Sequence, residues 1–202
     1  GTENSVLHVM RVDTGEVFAD RIANTRAASV AWLPDNSGFW YTRYPEGDEY
    51  HRHVRFHTLG SSPSDDPVVF DRLPTPETWP DVAVSPDGRW VLVHLMVGWT
   101  QIDIHLLDTS TGEWTVVTEG VVAQTQLQFA GDSLVGVTTL DAPNGRVVEA
   151  SPWVKGWNRR SICSRDMPMP LSLTQPCRRR ASPCRCSADR PSVTLPASVN
   201  LT

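Results

Sequence analysis

Apolar and polar residues alternate with period two in short runs through the first 150 residues, and clusters of turn-forming residues separate the runs. The clearest case is "VAVSPDGRWVLVHL", residues 82–95. Val82 and Val84, then Val91, Val93 and Leu95, share faces of an extended chain, while Trp90 and Leu92 take the other side. Pro86 fixes its own φ, Asp87 offers a carboxylate to a nearby backbone N–H, and Gly88 accepts positive φ without steric cost. The segment is predicted to be strand, tight turn, strand. A second copy, "VAWLPDNSGFWYTRY" at 30–44, carries Pro34, Asp35 and Gly38 in the same places with two residues inserted. A third, "LQFAGDSLVGVTT", turns at Gly131-Asp132.

An alternating strand, a polar turn and a further short strand follow each hairpin: "VLHVMRVDTGEVFAD", "HVRFHTLGSSPSDDPVVF" and "IDIHLLDTSTGEWTVV". A fourth, "GRVVEA", breaks off after its strand. The spacing of equivalent strands is roughly 45 residues, the period of a four-stranded blade in a β-propeller. One blade cannot bury both of its faces and needs neighbours stacked on it. The fold class is therefore all-β, a partial β-propeller of about three to four four-stranded blades over residues 1–150.

Composition supports that boundary. Residues 1–150 hold all six His, no Cys and no Lys, with nine Arg against twenty-one acidic residues. Residues 151–202 hold all four Cys, the only Lys (Lys155), eight Arg, and only Asp166 and Asp189 as acids. Neither strand nor helix periodicity survives there, and the apolar content is too low to offset the entropy of ordering it. The tail is expected to be disordered. Its Arg, Ser, Pro, Cys and Ala enrichment is what GC-rich coding DNA gives when translated out of frame, which points to a frameshift near 151–160. Arg178-Arg179-Arg180 is its one candidate nucleic-acid contact, but no aromatics interleave with the basic residues beyond Trp157, so no nucleic-acid partner is expected.

Candidate chemistry is sparse. Cys163, Cys177, Cys184 and Cys186 lack the paired C-x2-C spacing of a structural zinc site, and nothing supports a disulfide framework. "YHRHVRFH" places His51, His53 and His57 on one face if it is a continuous strand, a possible zinc face, but the loop before it favours reading them as polar surface groups. "GDSLVG" misses the G-x-S-x-G elbow by one residue and lies in a hairpin, so Ser133 is not read as a nucleophile. Asp65-Asp66 precedes Pro67 and reads as a turn cap. Trp32, Trp79, Trp90 and Trp99 read as blade core. No residue set calls for a metal or cofactor. With no secretory signal or membrane segment in view, the blade region is expected to be cytoplasmic, although the chain opens on Gly1 rather than Met.

Taken in order, "SVAWLPDNSGFWYTRYPEGDEY", "FHTLGSSPSDDPVVF", "ETWPDVAVSPDGRWVLVHL" and "DAPNGRVVEA" resemble the propeller of the prolyl oligopeptidase family of serine peptidases. The ordered strings A-W-x-x-D, G-F-x-Y, Y-P, H-x-L-G, D-D/E-D and S-P-D-G are longer than a generic blade pattern. "LPTPETWP" replaces the acidic stretch of the related oligopeptidase B. The resemblance implies a two-part enzyme, in which an α/β-hydrolase domain holds a Ser-Asp-His triad and a seven-bladed propeller covers it and admits only short, proline-containing peptides. This chain would supply about three and a half blades. The family's G-G-S-N-G-G nucleophile segment is not present in the 202 residues, so no catalytic residue is assigned. Where the family has cavity-lining side chains, this sequence has Ala27-Ala28 and Pro80, so substrate contacts stay unknown. The expectation is a substrate-gating propeller part, inactive alone and open to self-association through uncovered blade edges. The alternative is a freestanding β-propeller binding module, which would lack the Y-P-E-G and H-T-L-G strings.

Overall fold

A computed structural model describes residues 3–131 and 133–150; the tail expectation, with its four Cys, Lys155 and the Arg178–Arg180 run, lies outside the described residues. Among the described residues thirteen strands run in chain order: β1 (Leu7–Met10), β2 (Val17–Ile22), β3 (Val30–Trp32), β4 (Gly38–Arg43), β5 (His53–Thr58), β6 (Val68–Phe70), β7 (Trp79–Val84), β8 (Trp90–Val97), β9 (Gln101–Asp108), β10 (Glu113–Thr118), β11 (Thr125–Ala130), β12 (Ser133–Thr138) and β13 (Arg146–Ala150). They form two four-stranded sheets, β3–β6 and β7–β10, flanked by the pair β1–β2 and the three strands β11–β13. Among the described residues every pairing is antiparallel between chain neighbours, so each sheet is a meander and none closes on itself.

The β7–β8 hairpin follows from its turn residues. Ser85 N–H donates to Trp90 O at 2.9 Å and Gly88 N–H to Ser85 O at 2.8 Å. Asp87 Oδ1 accepts from Ser85 Oγ at 2.5 Å and from Arg89 N–H at 3.1 Å, while Gly88 sits at φ 74°. The copy at 33–38 has the same length, which corrects the expected two-residue insertion. Leu33 N–H donates to Gly38 O at 2.9 Å and Asn36 N–H to Leu33 O at 3.0 Å. Asn36, at φ 57°, therefore occupies the place of Gly88, as asparagine tolerates, and Asp35 Oδ1 accepts from Ser37 N–H at 3.0 Å. Gly38 lies in β4 and is small for another reason: a Cβ there would meet His57 O at 2.4 Å.

Alternation distributes side chains between the two faces of each sheet. Val91, Val93 and Leu95 join Val82, Leu107, Ala31, Trp40, Val54 and Phe70 between β3–β6 and β7–β10. Trp90 and Leu92 face the other way and pack with Ile102, Ile104, Leu106, Leu127, Leu134 and Val148 between β7–β10 and β11–β13. Val9, Ile22, Phe39 and Tyr41 fill the seam between β1–β2 and β3–β6. β8 is thus apolar on both faces, because each face supplies a different seam. A fully buried Val, Leu or Ile contributes about 1.5–3 kcal/mol, and Val91, Leu92, Val93 and Leu95 are all wholly buried.

The expected tryptophan core holds only in part. Trp90 is buried, whereas Trp32 is 38%, Trp79 42% and Trp99 92% exposed. Trp32 ends β3 and Trp79 begins β7, where no strand continues to cover them, and Trp99 lies in the turn between β8 and β9.

Candidate functional site

The loops 44–52, 71–78, 98–100 and 119–124 join at one end of the stack: His51 N–H donates to Pro76 O at 2.9 Å, and the Gln124 amide donates to Trp99 O. Arg52, only 2% exposed, organises this end. Its Nη1 donates to Ala27 O at 3.0 Å, and its Nη2 donates to Arg26 O at 3.1 Å and Tyr44 Oη at 2.5 Å. The guanidinium carbon lies 4.5 Å from the Tyr44 ring centre and 4.3 Å from that of Trp79. Two aromatic faces and three oxygens thus hold a buried cation, and the planar guanidinium suits both contacts. Trp79 is thereby fixed as one wall of an open cleft of about 450 Å³ that Glu77, Met96, Gly98 and Trp99 complete. Of the positions where the resemblance implies cavity-lining side chains, Pro80 is buried in β7, and Ala27 is exposed beside Arg52 at φ 45°. Trp79 and Trp99, which the sequence pattern places in the blade core, instead contribute exposed indoles here.

The three histidines do not form one face. His51 precedes β5 at φ 53°, and its Nδ1 pairs with Asp48 Oδ2 at 2.8 Å. His53 opens β5 and is half-buried, which holds its imidazole below the ordinary value. His57 is wholly buried, which corrects its reading as a surface group. Its Nε2 lies 2.9 Å from Asp20 Oδ1, and its Nδ1 lies 2.9 Å and 3.0 Å from Asp66 Oδ1 and Oδ2. Asp66 is therefore no turn cap; it is buried and also accepts from Tyr41 Oη at 2.7 Å, while Asp65 stays exposed in the loop. Burial pushes Asp20 up, but hydrogen bonds from His57 and from Gly60 N–H at 2.6 Å reverse this and hold it below the ordinary 3.8. Burial, then the bond to Asp66, raises Tyr41 above the usual phenol range. The cluster joins β2, β4, β5 and the β5–β6 loop, and sequence reasoning missed it.

Ser133 begins β12 opposite Ala130, in a two-residue hairpin and not at the strand-to-helix turn of a nucleophile elbow.

A run of meander sheets stacked face to face is the arrangement of propeller blades. The family model for the N-terminal β-propeller domain of prolyl oligopeptidase matches residues 1–157. The chain belongs to that family. Among curated relatives, prolyl oligopeptidase A of Amanita bisporigera is 28% identical over 100 residues, covering 43% of this chain and 13% of its own length. Prolyl oligopeptidase ophP of Omphalotus olearius is 30% identical over 81 residues, covering 36% of this chain and 11% of its own. A solved structure from work on two prolyl endopeptidases superimposes with TM-score 0.71 at 31% identity, over 79% of this chain and 24% of that one. Prolyl oligopeptidase B from Galerina marginata, at 18% identity and TM-score 0.66 over 75% of this chain and 24% of its own, shares the fold. This prolyl oligopeptidase propeller chain thus spans about one quarter or less of the relatives it matches. Two strings that carried the resemblance, H-T-L-G and the Asp-Asp pair, supply His57 and Asp66 of the buried cluster.

Proposed function

We propose that the chain forms the part of a prolyl oligopeptidase-like propeller that borders the entry of short proline-containing peptides, while a serine-peptidase domain outside these 202 residues performs the cleavage. The cleft between Trp79 and Trp99 carries this reading. Two exposed indoles, one of them pinned by Arg52, offer flat apolar faces to a pyrrolidine ring, and Glu77 places a carboxylate at the rim. In this reading the described residues bind and orient, the nucleophile, base and oxyanion donors belong to the other domain, and the chain is inactive alone. In this role the protein works in the cytoplasm, a reading supported by a blade region without cysteine. Among the described residues no helix is long and apolar enough to cross a membrane.

Two measurements on the full chain test the reading. A chromogenic Gly-Pro substrate should not be turned over; turnover that survives purification and is blocked by a serine-directed phosphonate would overturn the assignment of catalysis elsewhere. A Gly-Pro dipeptide amide should quench tryptophan fluorescence weakly in the wild type and not in Trp99→Ala. Equal quenching in both proteins would remove the cleft from the proposal.

A further inference from the structure

Both ring nitrogens of His57 face carboxylate oxygens, Asp20 on one side and Asp66 on the other, all at 2.9–3.0 Å and all away from solvent. A neutral imidazole has one N–H, so one of its nitrogens would point a lone pair at a carboxylate. Asp20 comes from β2 and Asp66 from the loop before β6, so the ring bridges two sheets. The remaining polar groups around the cluster do not supply the missing hydrogen. Tyr41 Oη already donates to Asp66, and Gly60 N–H already donates to Asp20. Arg43, on β4, interacts with the Tyr41 hydroxyl and donates to Pro63 O at 3.3 Å. β1 adds the apolar Leu7 and Val9 to this seam. We propose that His57 is held as a doubly protonated ring, and that its charge clamps the β1–β2 hairpin onto the β3–β6 sheet as a local ionic clasp.

The clasp is local by construction. The apolar part of this seam, Val9, Ile22, Phe39 and Tyr41 with their part-buried neighbours, is smaller among the described residues than either of the other two. Loss of one charge therefore loosens residues 7–22 first, by partial opening and not by global unfolding. The carboxylate arm also has a definite sign. Asp20 lies below its ordinary value, so its contribution is present above 3.8 and is lost as pH falls through the lower folded value.

Nitrogen-15 spectra of the histidine-labelled full chain at neutral pH test the charge directly. The two His57 ring nitrogens should show the closely spaced shifts of a doubly protonated imidazole; the widely separated shifts of a neutral tautomer would overturn the proposal. Native-state hydrogen exchange tests the locality. Asp20→Asn, which keeps shape and removes charge, should speed exchange in residues 7–22 roughly 10-fold or more while residues 79–108 stay as in the wild type. Tyr41→Phe, which leaves both His57 bonds in place, should change the same peptides less. Unchanged exchange in Asp20→Asn, or an equal rise over 79–108, would refute a local clasp. The spectra require only the wild type, so a variant that failed to fold would leave the proposal decidable.

Discussion

The seam between β1–β2 and β3–β6 and the seam between β7–β10 and β11–β13 solve the same packing problem with different chemistry. The first sets four buried apolar side chains beside an Asp–His–Asp bridge. The second buries eight, among them Leu92, Ile104 and Leu134, and uses one histidine: His94 Nε2 accepts the Leu127 N–H at 3.1 Å. Apolar contact is non-directional and spreads its contribution over many atoms, whereas the bridge concentrates it in three groups whose hydrogens must all be in place. The first seam should therefore be brittle toward single chemical changes and the second graded by volume.

Asp66→Ala should show the largest effect, because it leaves a buried His57 and the Tyr41 hydroxyl without their shared acceptor; a loss of roughly 3–5 kcal/mol is expected in urea denaturation. A loss under about 1 kcal/mol would mean that the bridge is not stringent. In the apolar seam, Leu92→Ala should cost about 2–5 kcal/mol by the same measurement, but Leu92→Met, which conserves volume, less than about 1.5. If the methionine variant were as damaged as the alanine one, the supposed tolerance of that seam would fail.

Acid should separate the two seams by order. Burial holds His94 below the ordinary 6.5, against a smaller opposing pull from Asp81. The unfolded chain then binds the proton first, so this contribution is full above 6.5 and is lost as pH falls from there toward the folded value. Protonation also removes the lone pair that accepts from Leu127. The Asp20 contribution persists until below 3.8. Protection of the Leu127 amide should therefore fall in mild acid while the amides of β1–β2 remain protected. The reverse order would overturn the contrast.

The smallest expected effect compares the two like-sized hairpins. Gly88→Ala should cost about 1 kcal/mol, since it places a side chain at φ 74° with its Cβ 3.1 Å from Pro34 Cδ. Asn36→Gly should fall within about 0.5 kcal/mol of the wild type in thermal melts, because that position already tolerates positive φ.

The sheets were legible in the sequence because their signals are local. Pro86-Asp87-Gly88 and the alternation of β8 each lie within one short window, and both the turn and the division of faces follow from them. The register at 33–38 was misjudged because Gly38 attracted the turn role that Asn36 fills; its true constraint, the carbonyl of His57, lies nineteen residues away. The Asp20–His57–Asp66 bridge was invisible for the same reason: His57 reads locally as a surface group and Asp66 as a turn cap, and nothing near Asp20 in the sequence marks it. One signal was available, since His57 stands two residues before the apolar Leu59, and residues two apart in an extended chain share a face. The exposed indoles escaped because strand spacing says which face a residue takes but not whether the strand's end is covered.

The double-sided burial of β8 has a consequence for how the chain reaches its fold. "WVLVHL" at 90–95 has no formal charge, no proline and strong strand preference, the profile of a segment that pairs with copies of itself when left uncovered. Its protection depends on speed. Both hydrogen-bonding partners, β7 and β9, lie one short turn away, so its edges are satisfied by local closure before any distant part of the chain is needed. The two faces are covered later, by the β3–β6 and β11–β13 sheets on either side. Synthesis from the N-terminus delivers the first of these before β8 emerges and the second after it. The interval of greatest hazard is therefore the time needed to add the residues from Glu113 to Ala150, and a chain stalled within that stretch presents Trp90 and Leu92 to its neighbours.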